Sequence, residues 1–319
     1  PVLSPTDEFA DFELWDGANL AMIEAATEED LPGSYAREAL KNGLAVEADI
    51  GVNPFQFGMI GSTDSHTSYA SAEEDNYLGK YAATTPDPER WKKIMGEGIP
   101  NRVVDRLEWQ TSMSGLAAVW ATENTREAIF DAMQRKEVYA TTGPRMRVRM
   151  FGGFGLDPAD ATSNKLPDIG YANGVPMGGN LPASADGAAP TFLVAALRDP
   201  DGANLDRIQM VKGWLDADGE VNEQIYDIAV SDDRVIEDGR AVTPVGSTVD
   251  LDTASYTNSI GDATLFAGWT DPDFDPAQRA FYYVRVLEIP TPRWTLYDVV
   301  RMSAEMPPEV PMILQERAY

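Results

Sequence analysis

Cysteine is absent from the 319 residues, which excludes disulfides and thiolate metal sites and leaves the redox compartment open. Histidine is nearly absent: His66 is the only one, so a His-rich metal centre cannot be built from this chain alone. Basic residues are scarce, 25 Lys and Arg against 52 Asp and Glu, for a net charge of −27. That balance disfavours nucleic acid and anionic membrane surfaces, both of which are bound through Lys and Arg. The acidic residues are scattered rather than blocked, as on a strongly solvated surface. No apolar run approaches the roughly 20 residues that span a bilayer. No basic, apolar and small-residue leader opens the sequence. A G-x-x-x-x-G-K phosphate loop is missing too; Gly152-Gly153-Phe154-Gly155 lacks the lysine and the following helix. No G-x-S-x-G elbow supports a serine nucleophile.

What is present reads as a globular protein with 43% hydrophobic residues, long enough for two domains of about 150 residues each. Leu14-Trp15 looks like a strand end, and residues 20–26 like a short helix. Pro32-Gly33-Ser34 signals a helix start with Ser34 as N-cap. Ala36, Leu40, Gly43 and Leu44 then share one face of a helix to about Asp49, with Arg37, Glu38, Lys41 and Glu47 largely off it. Gly51, Asn53 and Pro54 stop it. Residues 57–60 are apolar without alternation, which predicts a short strand covered on both faces. This strand–turn–helix–loop–strand order is the rhythm of a β/α protein with parallel strands. Asn124 and Glu127 form a capping-box-like start to a helix whose buried face is Ala128, Ile129, Ala132 and Met133. A strand is expected at 138–141.

Near Arg145 the texture changes. Met146, Val148 and Met150 alternate with Arg145, Arg147 and Arg149, a half-exposed strand. Residues 151–190 show no helical pattern, and strands are expected at 191–197, 205–214, 224–230 and 281–289. Asp216-Ala217-Asp218-Gly219 reads as a hairpin turn. Residues 146–319 are therefore a β-sandwich candidate, after a mixed α/β region at 1–145.

The candidate chemistry lies in Ile60-Gly61-Ser62-Thr63-Asp64-Ser65-His66. A carboxylate and an imidazole on either side of one residue, at the exit of a strand, can point two ligands at one metal ion. The other reading is that Asp64 caps the next segment and His66 is a polar loop residue. A catalytic transition-metal centre needs three or more protein ligands, so Asp64 and His66 are half a site at most. Asp271-Pro272-Asp273-Phe274-Asp275 and Asp216–Glu220 are dense in carboxylates but lack the glycine position and closing glutamate of an EF-hand. Arg145 follows directly on a strand-exit turn and is a candidate anion ligand. The chain opens on Pro1 rather than methionine, as expected of a fragment or a processed chain.

The turn at 60–66 resembles the last metal motif of the PHP (polymerase and histidinol phosphatase) superfamily. The segments 7–13, 33–40, 73–76, 139–145 and 285–294 resemble the DUF3604 family, related to it. The resemblance implies the C-terminal part of a distorted β/α barrel over residues 1–145, followed by a β-rich, sandwich-like domain over 146–319. It implies a metal-dependent hydrolase, of phosphoesters first, acting on a small-molecule substrate through a metal-activated water. Asp64 and His66 would be ligands to one or two zinc, manganese or iron ions. The family pattern carries an H-x-H and further ligands nearer the N-terminus that this chain lacks, so the remaining ligands are expected on an N-terminal segment outside it. Arg145 and Arg293 would bind an anionic substrate group. The rival readings are a carbamate or amide metallohydrolase, and a non-catalytic β-rich binding module with a decayed barrel.

Overall fold

The computed structural model describes residues 3–13, 16–19, 21–62, 64–68, 73–113 and 115–319. The expected strand end at Leu14-Trp15 and the expected helix start at Leu20 lie outside the described residues, as does Thr63 of the D-x-H turn.

The first regular element is helix α1, Ala36–Ile50, entered from a 3-10 turn at Glu28–Gly33. Its N-cap is Tyr35 rather than Ser34, whose hydroxyl donates back to the Asp30 carbonyl at 2.9 Å. It ends as expected at Gly51, where φ of +80° suits glycine and the amide donates to the Glu47 carbonyl. Its buried face differs from the apolar stripe: Glu38 and Lys41 are buried beside Gly43 and Leu44, while Ala36 is exposed. The helix lies across the strands described next, and Glu223 on one of them takes Arg37 at 3.3 Å and Lys41 at 3.2 Å. Ion pairing with the sheet turned a face that patterning would leave in water toward the protein.

Strand β1 (Leu116–Val119), helix α2 (Arg126–Gln134) and strand β2 (Val138–Thr141) follow. Thr125 caps α2, its hydroxyl accepting from the Ala128 amide, one residue beyond the expected Asn124. Ala132 alone of the expected face is fully buried, and Met133 is exposed. Next come β3 (Arg147–Gly153), α3 (Leu166–Asn173), β4 (Val175–Pro176), β5 (Thr191–Leu197), β6 (Leu205–Leu215), β7 (Val221–Val230), β8 (Ile236–Glu237) and β9 (Arg240–Ala241). The chain closes with β10 (Thr264–Thr270), β11 (Arg279–Glu288), β12 (Thr291–Pro292), α4 (Trp294–Met302), β13 (Ile313–Leu314) and β14 (Arg317–Ala318). The expected strands at 138–141, 191–197, 205–214, 224–230 and 281–289 all have counterparts. Helices α3 and α4 and strand β10 do not come from the sequence patterns.

Two sheets dominate. One runs β1-β2-β14-β11-β6-β7 and the other β10-β5-β3-β4, with antiparallel pairing throughout. The larger sheet joins β1 and β2 to strands from beyond Arg145. The two sheets share one core in which Val148, Val194, Ile208, Met210, Val284 and Val286 are all buried. The β6–β7 hairpin turns at Asp216–Gly219, as its sequence indicates, with Gly219 at φ +83°.

The expected parallel β/α rhythm is corrected. Among the described residues the one parallel contact is an isolated bridge between His66 and Tyr81. Residues 57–60 are not a buried strand: they make no ladder, and Phe57 and Ile60 are 38% and 58% exposed. β2 is already paired on both edges, by β1 and β14. The segment instead crosses beside β1 and β2, close enough that a Cβ on Gly61 would sit 2.8 Å from the Leu116 carbonyl oxygen. Four apolar residues cannot tell a core strand from an extended crossing.

Candidate functional site

Asp64 sits at φ +44°, a left-handed conformation that Asp tolerates better than most residues and that turns the chain out of the crossing segment. Two residues on, the His66 amide donates to the Lys80 carbonyl at 2.9 Å, and its ring packs on Tyr81 with centroids 4.9 Å apart. The geometry brings Asp64 Oδ1 to 3.5 Å from His66 Nε2. Lys80 completes the cluster: its ammonium donates to the Asp64 carbonyl at 2.6 Å and ion-pairs with Oδ2. That ammonium holds the Asp64 carboxyl below the usual carboxylate range. Both side chains stay open to solvent, 67% exposed for Asp64 and 52% for His66.

Carboxylate and imidazole are the donor types a divalent transition metal takes, and here they are adjacent and accessible. Their number does not suffice. Among the described residues no group of three or more His, Asp or Glu side chains is placed to hold an ion. The residues present therefore do not complete a metal centre.

The two arginines are not brought to this pair. Arg145 forks onto Asp199, with Nε to Oδ2 at 3.0 Å and Nη2 to Oδ1 at 3.1 Å, and reaches Asp201 at 2.7 Å. Arg293 is 0% exposed. Its guanidinium donates to Glu13 at 2.8 and 2.9 Å and to the Thr111 carbonyl at 2.8 Å. Each is engaged with protein carboxylates in this structure, Arg145 at the surface and Arg293 in the interior.

Sequence reasoning missed a second concave feature, an acidic cleft of ≈ 270 Å³ where loop ends from both parts of the chain meet. Glu74, Asp199, Asp201, Glu288 and Glu316 line it, with Tyr256 as an aromatic wall. Glu288, at the end of β11, is 1% exposed; burial and the neighbouring Asp199 push its carboxyl well above its ordinary value. A glutamate inside the otherwise apolar run 286–289 was the one available signal. Lys80 and Tyr81 offered none, since their approach to the D-x-H turn depends on the path of the intervening loop.

The chain combines a mixed α/β region with antiparallel β-sheets and carries an exposed Asp–His pair. The model of the family described as a protein of unknown function (DUF3604) matches residues 1–319, and the chain belongs to that family. No functionally curated protein and no solved structure matches it. Among the described residues no helix is long and apolar enough to cross a membrane.

Proposed function

We propose that this chain is a portion of a metal-dependent hydrolase, acting on phosphoesters, in which Asp64 and His66 are two of the metal ligands. The observation that carries the reading is their juxtaposition: an ionised carboxylate 3.5 Å from an accessible imidazole nitrogen, on one turn. The remaining ligands would come from an N-terminal segment outside residues 1–319, and the metal would be zinc, manganese or iron, one or two ions. Such a centre supplies a water that is nucleophilic at neutral pH. Lys80 keeps Asp64 anionic, and the Tyr81 ring fixes the plane of His66. On this reading residues 1–145 are the C-terminal part of a distorted, PHP-like β/α barrel, which rests on the likeness of the 60–66 turn. Residues 146–319 would be a sandwich-like domain, a reading supported by the two sheets that share one core, to which β1 and β2 from before Arg145 also contribute. Arg145 would serve an anionic substrate only by leaving Asp199 and Asp201, and Arg293 only by opening the interior.

A second reading is a non-catalytic β-rich module with a decayed barrel, since among the described residues no third donor joins Asp64 and His66. Metal analysis of the intact protein, purified without chelator, separates the two. Stoichiometric transition metal that His66→Ala abolishes supports the hydrolase. An intact protein without metal, or a His66→Ala variant with undiminished metal, overturns it. Aryl phosphates against aryl carbamates then decide between ester and carbamate or amide chemistry.

A further inference from the structure

The acidic cleft takes no part in the Asp64–His66 reading, and an unpartnered buried group points to a ligand for it. The Oε1 atom of Glu288 is buried without a hydrogen-bond partner, although its residue is 1% exposed and lines the cleft. A buried carboxylate oxygen without a donor is costly, and native proteins seldom leave one.

The charges around the cleft identify what would enter. Arg145 is forked on Asp199 and Asp201, Arg301 lies 3.6 Å from Asp75, and Arg198 donates to the Gly202 carbonyl at 2.6 Å. The Thr142 hydroxyl donates to Glu316. Neutralising cations therefore stand at the rim while Glu288 faces the space itself, and an anion would be repelled. A bare metal ion fits poorly, because among the described residues no three carboxylates converge on one point. The cleft lies just below the usual volume range of small-molecule pockets, about 300–1,000 Å³. Tyr256 supplies an aromatic face of the kind that attracts ammonium groups.

We propose that this cleft binds a small organic cation, an alkyl amine of diamine size, with Glu288 as its buried counter-charge. In the empty cleft burial and Asp199 push the Glu288 carboxyl well above its ordinary value, Glu316 and Tyr256 face it too, and Arg198 acts in the opposite sense. The incoming ammonium favours the carboxylate form, so ion-pair formation is expected to release protons to solvent.

The test is calorimetric titration of the whole chain with putrescine at physiological ionic strength and again at high salt, with butanediol as neutral isostere and Mg²⁺ as control. One saturable putrescine site is expected at both ionic strengths, absent with butanediol, with heats in two buffers of different ionisation enthalpy that report proton release. Glu288→Gln should weaken it about ten-fold or more, the usual weight of a charge-assisted hydrogen bond. Tyr256→Leu should weaken it several-fold, a readout that stands even if Glu288→Gln fails to fold. His66→Ala should leave it unchanged, which keeps this site's fate separate from that of the metal reading. No saturable heat, undiminished binding in both cleft variants, or equal competition by Mg²⁺ overturns the proposal.

Discussion

Asp7 shows how single residues hold the chain together. Its carboxylate, 1% exposed, accepts from Arg285 at 3.0 and 2.6 Å and pairs with Arg37 at 2.8 Å. Burial alone would raise its pKa, but the two guanidiniums outweigh it and lower the group from 3.8 to about 2. A depressed carboxyl contributes stability above its unfolded pKa and loses it as pH falls through the folded one. Asp7 should therefore give up about 2 kcal/mol between pH 4 and pH 2, and Asp7→Asn should flatten that acid limb in urea melts. Glu74 works in the opposite sense. Burial raises its carboxyl from 4.5 to about 7, even though Arg293 and the Trp294 amide, a donor at 2.5 Å, favour the charged form. The folded state then holds a proton that the unfolded state has lost, so stability falls as pH climbs from 4.5 to 7. Glu74→Gln keeps the amide's acceptor and should remove that slope; a slope unchanged in the variant would contradict the assignment.

At the scale of elements, the polar ties run between segments far apart in sequence. Arg90, on a 3-10 turn, forks onto Asp298 of α4 at 2.5 and 2.7 Å and lies 4.6 Å from the ring of the fully buried Trp294. Removing one partner of a buried pair leaves the other charge uncompensated, so Asp298→Ala should cost about 3–5 kcal/mol by denaturant unfolding. Arg90→Ala with Asp298→Ala should cost less than the sum of the singles. Helix α3 docks through close approach: a Cβ on Gly170 would lie 2.3 Å from Phe151 Cγ, and Phe151 is 0% exposed. Gly170→Val should overpack that contact and destabilise by about 1–3 kcal/mol, seen as a lower midpoint with an unchanged m-value.

The whole molecule carries a net charge of −27, and its surface acids repel one another. Salt that screens exposed charges should relieve that repulsion, while the buried pairs of Asp7 and Asp298 are screened far less. The melting temperature should thus rise with sodium chloride through the first few Debye lengths of screening. A fall would mean that attractive surface pairs outweigh the repulsion.

Period-two patterning and turn chemistry made most strands of the C-terminal half legible, from 191–197 to the hairpin at Asp216–Gly219. These signals are local, since a strand buried on one face must alternate and a tight turn needs its glycine. The D-x-H turn was legible for the same reason: Asp64 and His66 are two residues apart, and the backbone alone puts them together. Local pattern failed where long-range partners decide. Residues 57–60 are apolar enough for a core strand, yet they run as an extended crossing beside β1 and β2 without joining the ladder. The charged face of α1 is buried because Glu223, on a distant strand, is there to meet it. The carboxylates that engage the candidate anion ligands Arg145 and Arg293, Asp199 and Glu13, reach them only in the folded chain. Composition and spacing by themselves determined an acidic, cysteine-free protein with one imidazole and a two-donor turn. Only the tertiary structure decided which arginines are engaged, that Lys80 sits on Asp64, and that Glu288 faces a cleft without a partner, because each depends on side chains converging from segments with no sequence proximity.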